Sequence, residues 1–388
     1  MHRHTPLAWK NLTHAPRRLA VAVSGVTFAV LLIFMELGFL NALLESTVQL
    51  LRKVDGELVI VSSAQYALMA GERFSERRMY QAREVEGVAR VSPIYYEALA
   101  GILRPTGKRG RPIRVLAVDP GDPVLRIPEL KTHAHALDQP ETALADITSQ
   151  RDFEIPRNPE LLPDYEAELN GTQVHIVGNF RLGIDFATNG NLLMTSHNFA
   201  RYFPLRAGGR PLSVVDLAVV KIDKGADPKV VQGRLQAALP MDVQPLLVEE
   251  LIGREKAFWA TTAPIGFVFW VGAVMGFIVG IVICYQIIHA DITDHLREFA
   301  TLKAMGYQSP YFIALVLRQC LYMAAMGFVP GLLLSGIAYW FLGEFTGLTV
   351  QLSLPLAGSV FLATAAMCTV SGLLAVSKLL AADPAELF

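Results

Sequence analysis

Charge is what this sequence lacks most. Of its 388 residues, 18% are Asp, Glu, Lys or Arg, against about 25% in an ordinary soluble chain. The deficit falls on four long apolar runs, which excludes a purely soluble class. Cysteine is scarce as well. The three, Cys284, Cys320 and Cys368, all sit inside apolar runs. Their spacing fits neither a metal site nor a disulfide framework, so they read as small core residues. The net charge of −1, with no basic patch interleaved with aromatics, excludes nucleic acid as a partner. Catalytic motifs are missing too: there is no G-x-S-x-G and no H-E-x-x-H. Residues 101–109 (GILRPTGKR) have one residue too many between the glycines for a phosphate loop. They also place Arg109 where Ser or Thr must hold magnesium. His289, Asp291, Asp294 and His295 have ligand chemistry, but such positions along a helix do not converge on one ion. The chain is expected to be no enzyme and to hold no cofactor or metal of its own.

What is present is organised around the membrane. Residues 1–18 are basic and amphipathic, with Trp9 beside Lys10, as in a segment lying on a bilayer surface. Residues 19–44 form a first apolar run, longer than the roughly 20 residues that cross a bilayer. It lacks a small-residue cleavage site, so it reads as an uncleaved anchor. Glu36 lies within it, roughly 27 Å above Arg18 at 1.5 Å per residue. That is near the far interface, where snorkelling or a polar contact suffices. Residues 45–54 keep a helical rhythm as a stalk, and 251–261 mirror it before a second span at 262–288. Gly272, Gly276 and Gly280 repeat every four residues there, a pattern that admits a close helix. Packing within the chain and a seam between two copies both fit it. Spans three (311–343, with Pro330-Gly331 predicting a kink) and four (353–380) follow, then a tail at 381–388. Lys and Arg gather at the N-terminus, in the 289–310 loop and at the C-terminus, while loop 344–352 has none. The positive-inside rule then places both termini and the 289–310 loop in the cytoplasm, and residues 55–250 outside.

That outer region reads as α+β. Strand, helix and strand signals at 56–63, 79–86 and 88–103 return at 214–222, 228–239 and 243–247. Two such halves far apart in sequence predict a split ferredoxin-like unit. Residues 104–213 then form an inserted, mainly β subdomain. Within it 104–114 is a basic hairpin tip, 128–163 a loop, and 172–180 and 191–196 strands. The fold class is thus an α-helical membrane protein of four transmembrane helices, one plus three. A large extracytoplasmic α+β domain lies between the first and second.

The polar break at 289–311 (HADITDHLREFATLKAMGYQSPY) is the remaining candidate site. Ile292, Leu296, Phe299 and Leu302 recur at helical spacing. Acids stand early, Lys303 late, Gly306 reads as a C-cap and Pro310 as a stop. Arg297, Glu298 and Lys303 beside Phe299, Leu302 and Met305 suit a cleft with an apolar floor and a polar rim. The alternative is a membrane-edge helix facing lipid headgroups.

The order of one span, a large outer domain and three spans resembles the FtsX-like permeases of MacB-type ABC transporters. So do LREFATLKAMGY in the polar break and PLAWKNLTHAPRRLAVAVSGVTFAVLLIF at the start. Residues 254–307, from REKAFWATT to LKAMGY, are most similar to the DevC branch. The resemblance covers essentially the whole chain, strongly over 250–310 and more weakly between 104 and 213. It implies a homodimeric permease in the inner membrane, paired with a separate DevA-like ABC ATPase that holds ATP and magnesium. It further implies a membrane-fusion adaptor, a TolC-like outer-membrane protein, and a stroke passed through the stalks to drive export, with glycolipid as one cargo of such systems. Under it Leu296, Arg297, Glu298, Phe299, Thr301, Leu302, Lys303, Met305 and Gly306 couple to the ATPase. The alternative is an FtsX-like signalling protein that controls cell-wall hydrolases.

Overall fold

The computed structural model describes residues 9, 14, 16–122, 124–185, 188–294, 301, 305–346, 350 and 352–381. They fall into two compact units. One comprises Met1–Ala42, Pro264–Gly343 and Val350–Phe388. The other comprises Leu43–Ala263 with Glu344–Thr349.

The chain enters through α1 (Pro16–Thr47), long and apolar enough to cross a membrane. Its rhythm breaks at Val48 and resumes in the short α2 (Gln49–Arg52). Strand β1 (Leu58–Ser62) follows, then β2 (Phe74–Ser75), α3 (Arg77–Arg83) and β3 (Val88–Glu97). The expected strand at 88–103 is two elements, because the chain turns at Leu99–Gly101 before β4 (Ile102–Pro105). Next come β5 (Arg111–Pro112), β6 (Arg114–Ala117), α4 (Glu129–Thr132), α5 (Ala134–Leu137) and β7 (Thr142–Asp146). The expected loop at 128–163 therefore holds two helices and a strand. Then come β8 (Glu166–Leu169), β9 (Thr172–Phe180), β10 (Asn191–Met194) and α6 (Ser196–Tyr202). The unit closes with β11 (Val214–Val215), β12 (Leu217–Ile222), α7 (Pro228–Ala238), β13 (Val243–Leu247) and α8 (Val248–Ala257).

Eleven of these strands form one sheet, ordered β13-β1-β12-β3-β6-β10-β7-β9-β8-β4-β5. Its first four strands are antiparallel throughout. With α3 and α7 as connectors, that is the order of a ferredoxin-like unit. The strands within residues 104–213 extend the same sheet: β3 pairs with β12 along its start and with β6 through Tyr95, Tyr96 and Glu97. Both sheet faces are buried. Leu58 and Ile60 enter one core and Val59 and Val61 the other, so β1 reads as a continuous apolar run. The edge strands carry Pro245 and Pro112, which remove donors that would otherwise invite a further strand. Local chemistry sets the helix starts. Asp227 accepts from Lys229 N at 2.9 Å ahead of Pro228, and Thr195 accepts from Asn198 N at 3.3 Å.

After α8 the chain makes one π-type turn, Phe258–Thr262, and an extended Ala263. Pro264 then opens α9 (Pro264–Asp294). This helix runs six residues past the expected end at 288, so the first part of the polar break continues the span. Next are α10 (Ser309–Thr346), continuous through Pro330, and α11 (Leu354–Ala381). These three are also long and apolar enough to cross a membrane.

Candidate functional site

The helix that leads into the second span carries an acid on its apolar face. Leu251, Ile252, Glu255 and Phe258 share the i, i+1, i+4, i+7 spacing that faces a core. Glu255 is 2% exposed. Its two oxygens take one donor each: Leu68 N at 2.9 Å and Trp259 Nε1 at 2.9 Å. Burial pushes its carboxyl above the ordinary value, and the two donors and Arg254 only partly offset that. Tyr66, two residues before Leu68, packs its ring on Phe258 at 5.5 Å. The first stalk meets the second through Glu45, which pairs with Arg52 at 2.8 Å and with Lys256. A cleft of about 650 Å³ is lined by Leu51, Arg52 and Val54 from one stalk, and by Val248, Glu249 and Ile252 from the other.

A buried ionic cluster lies in the same unit. Arg73 donates to Asp216 at 3.1 Å and pairs with Glu97. Arg206 pairs with Asp216 and stacks its guanidinium over Phe199 at 5.1 Å. Asp216 also accepts from Tyr96 N at 2.8 Å. Each carboxylate thus faces a guanidinium, the condition for charges to stay buried. Desolvation, opposed by Arg206, lifts the Tyr95 hydroxyl beside the cluster to about 12.

In the membrane unit, glycines set the helix contacts. A Cβ on Gly272 would lie 2.5–2.7 Å from the carboxylate oxygens of Glu36. On Gly276 it would meet Ile33 and Leu32 at 3.5 Å, and on Gly280 it would meet Met367 Sδ and Ala29 Cβ, the latter at 2.9 Å. The stripe therefore packs against α1 and α11 of its own chain, and Glu36 finds its place at Gly272. A second pair, Gly327 and Gly331 of α10, receives Val26 and Val30 of α1. Sequence reasoning missed that pair, although its spacing of four is the same signal. Thr27 Oγ1 donates to Gly327 O at 3.1 Å, Tyr339 donates to Phe34 O, and Ser371 Oγ donates to Ile281 O at 2.9 Å. These polar ties fasten α1 to α10 and α9 to α11. Cys284 and Cys368 touch at 3.6 Å and all three cysteines are buried. Among the described residues no group of three or more His, Cys, Asp or Glu side chains is placed to hold a metal.

Of the polar break, Leu296, Arg297, Glu298, Phe299, Leu302 and Lys303 lie outside the described residues. Thr301 O accepts from Met305 N at 3.0 Å, and Gly306 is left-handed at φ +97°. Met305 is exposed. Asp294, at the end of α9, pairs with Arg18 of α1.

Residues 270–384 match the family model described as FtsX-like permease C-terminal. The solved structures that resemble the chain include the periplasmic region of MacB from Actinobacillus actinomycetemcomitans. It is 12% identical over 51% of this chain and 92% of that one, with a TM-score of 0.36. The extracellular domain of the noncanonic ABC-type transporter YknZ from Gram-positive bacteria is 12% identical over 49% and 98%, TM-score 0.34. A domain of a putative permease protein from Porphyromonas gingivalis is 10% identical over 49% and 86%, TM-score 0.31. No curated protein matches the chain.

Proposed function

We propose that the chain is the membrane-spanning subunit of an ABC-type exporter of the MacB kind, DevC branch. The observation that carries this is the match of residues 270–384 to the FtsX-like permease C-terminal model. It falls on the last three membrane helices of a chain whose first two are separated by a large mixed domain. In this reading the chain is a homodimer and performs no chemistry. A separate DevA-like ATPase binds ATP and docks on residues 296–306 from the cytoplasm. Its closure moves the two stalks, and the outer domain passes that motion to a membrane-fusion adaptor and a TolC-like duct. The cargo is a glycolipid or another amphiphile.

The test is a double substitution, Leu302→Asp with Met305→Asp, in the full chain. Two acids set against an apolar floor without partners cost several kcal/mol, on the order of 2–5. The variant should insert normally but lose co-purification with its ATPase. An undiminished complex would show that this segment is not the coupling element.

A further inference from the structure

The stalk helix α8 is already continuous with the edge strand β13, so a rigid stroke reaches the sheet at that edge. A second attachment exists. Glu255 stands seven residues beyond Val248, roughly 10 Å further along the helix axis. There it holds the N–H of Leu68. Leu68 begins a tight turn, Leu68–Ala70, which ends at the left-handed Gly71. Two residues later Arg73 enters the ionic cluster with Glu97 and Asp216. Glu97 closes β3, opposite Val115 of β6. Residues 65–73 thus leave the stalk near β13, on one side of the four-strand unit, and land beside β3 on the other. The landing point is where the unit joins the rest of the sheet.

Both ends are anchored by buried charge, and the middle is short. Tyr66 on Phe258 adds an apolar contact at the stalk end. At the start Ser63 Oγ donates to Met241 O at 2.6 Å. The cleft of about 650 Å³ lies between α8 and the first stalk. We propose that residues 65–73 are a strap carrying displacement of α8 to the β3–β6 junction, with Glu255 as its positioning residue. This rests on the export reading, in which the stalks move.

Two variants separate positioning from simple stability. In Glu255→Leu both acceptor oxygens are removed, so the contact to the strap at Leu68 N is lost. Leu68→Pro removes the N–H while leaving the carboxylate. Proline fits there because Leu68 is the first residue of its turn and Ala67 before it is extended. The probe is a pair of nitroxides at Leu205→Cys and Met241→Cys, which are 90% and 92% exposed. One neighbours Arg206 at the landing point and the other Ser63 at the departure point. Distances are measured in the full chain bound to its co-purified ATPase, before and after trapping with ATP and vanadate. Amide exchange at 69–70 is followed in parallel.

In the wild type, trapping shifts the spin–spin distance. In both variants exchange at 69–70 rises about tenfold or more, ATP hydrolysis persists, and the shift is lost. Variants that keep the full shift, or leave exchange at 69–70 unchanged, overturn the strap while leaving the export reading intact. A wild type that binds no ATPase overturns that reading, and the role of the strap with it.

Discussion

At the scale of the residue, Glu255 is the buried acid of the second stalk. A carboxylate at 2% exposure among Leu251, Ile252 and Trp259 is held by two neutral donors rather than a cation. Burial therefore governs its proton affinity, raised above the ordinary value of about 4.5. The charged groups that reach it are Arg254, next on the helix, and Asp185, itself paired with Arg114. The sign follows from linkage. A raised native pKa means the folded chain binds the proton before the unfolded one does. Its stabilising contribution is complete below the unfolded value and lost as pH rises through the native value. Unfolding midpoints of wild type and Glu255→Gln, measured from pH 7 downward, should therefore diverge in the wild type's favour as pH approaches 4.5. A constant difference across that range would remove burial as the cause. The sequence carried this residue in plain view, as an acid interrupting an apolar spacing, yet its partner could not be read. Leu68 N is a backbone group 187 positions away, and no residue type announces which backbone donor a carboxylate will meet.

At the scale of the element, the glycine positions separate into two kinds. Gly276 faces its neighbours at ordinary contact distance, 3.5 Å. Gly327 faces the branched carbon of Val26, where an added Cβ would come within 2.5 Å, backed by Thr27 N at 3.3 Å. The β-branched side chain has one preferred rotamer in a helix and cannot swing aside. Gly276→Ala should leave thermal stability of the purified chain nearly unchanged. Gly327→Ala should lower it clearly, by about 1–3 kcal/mol as overpacking commonly does, and should weaken the Thr27–Gly327 tie. Equal effects would mean that the α1–α10 seam is not closely packed. The stripe at 272, 276 and 280 was legible from spacing, but not which helices would fill it. β7 was hidden for a different reason. Its sequence, TALAD, is short and built of small residues between acidic stretches. It becomes a strand only because β10 and β9 flank it, a tertiary cause that local pattern cannot supply. The ferredoxin-like order could be anticipated because β1 and most of β12 are apolar on both faces and α7 has a sequence-legible start, Asp227 ahead of Pro228.

At the scale of the whole molecule, the charge pattern predicts one sidedness. Among the described residues four helices are long and apolar enough to cross a membrane, and four crossings are expected to leave residues 16 and 381 on the same side. Arg17 and Arg18 precede α1, and Lys378 stands near the end of α11. The short connection between α10 and α11 carries neither Lys nor Arg, and short loops are the ones that obey charge asymmetry. The mixed domain is far longer, and long domains translocate largely regardless of their own charge. Both ends and the segment around Met305 should therefore face the cytoplasm, with the domain opposite. The three native cysteines are buried between helices, so an impermeant maleimide has little background to report. A cysteine at Leu205 or Met241 should react in intact spheroplasts, and one at the exposed Met305 only after lysis. The reverse pattern would invert the molecule and place the proposed docking segment where no ATP is found. A reaction at all three positions before lysis would instead mean that α9 does not span the membrane, since α9 alone separates Met241 from Met305.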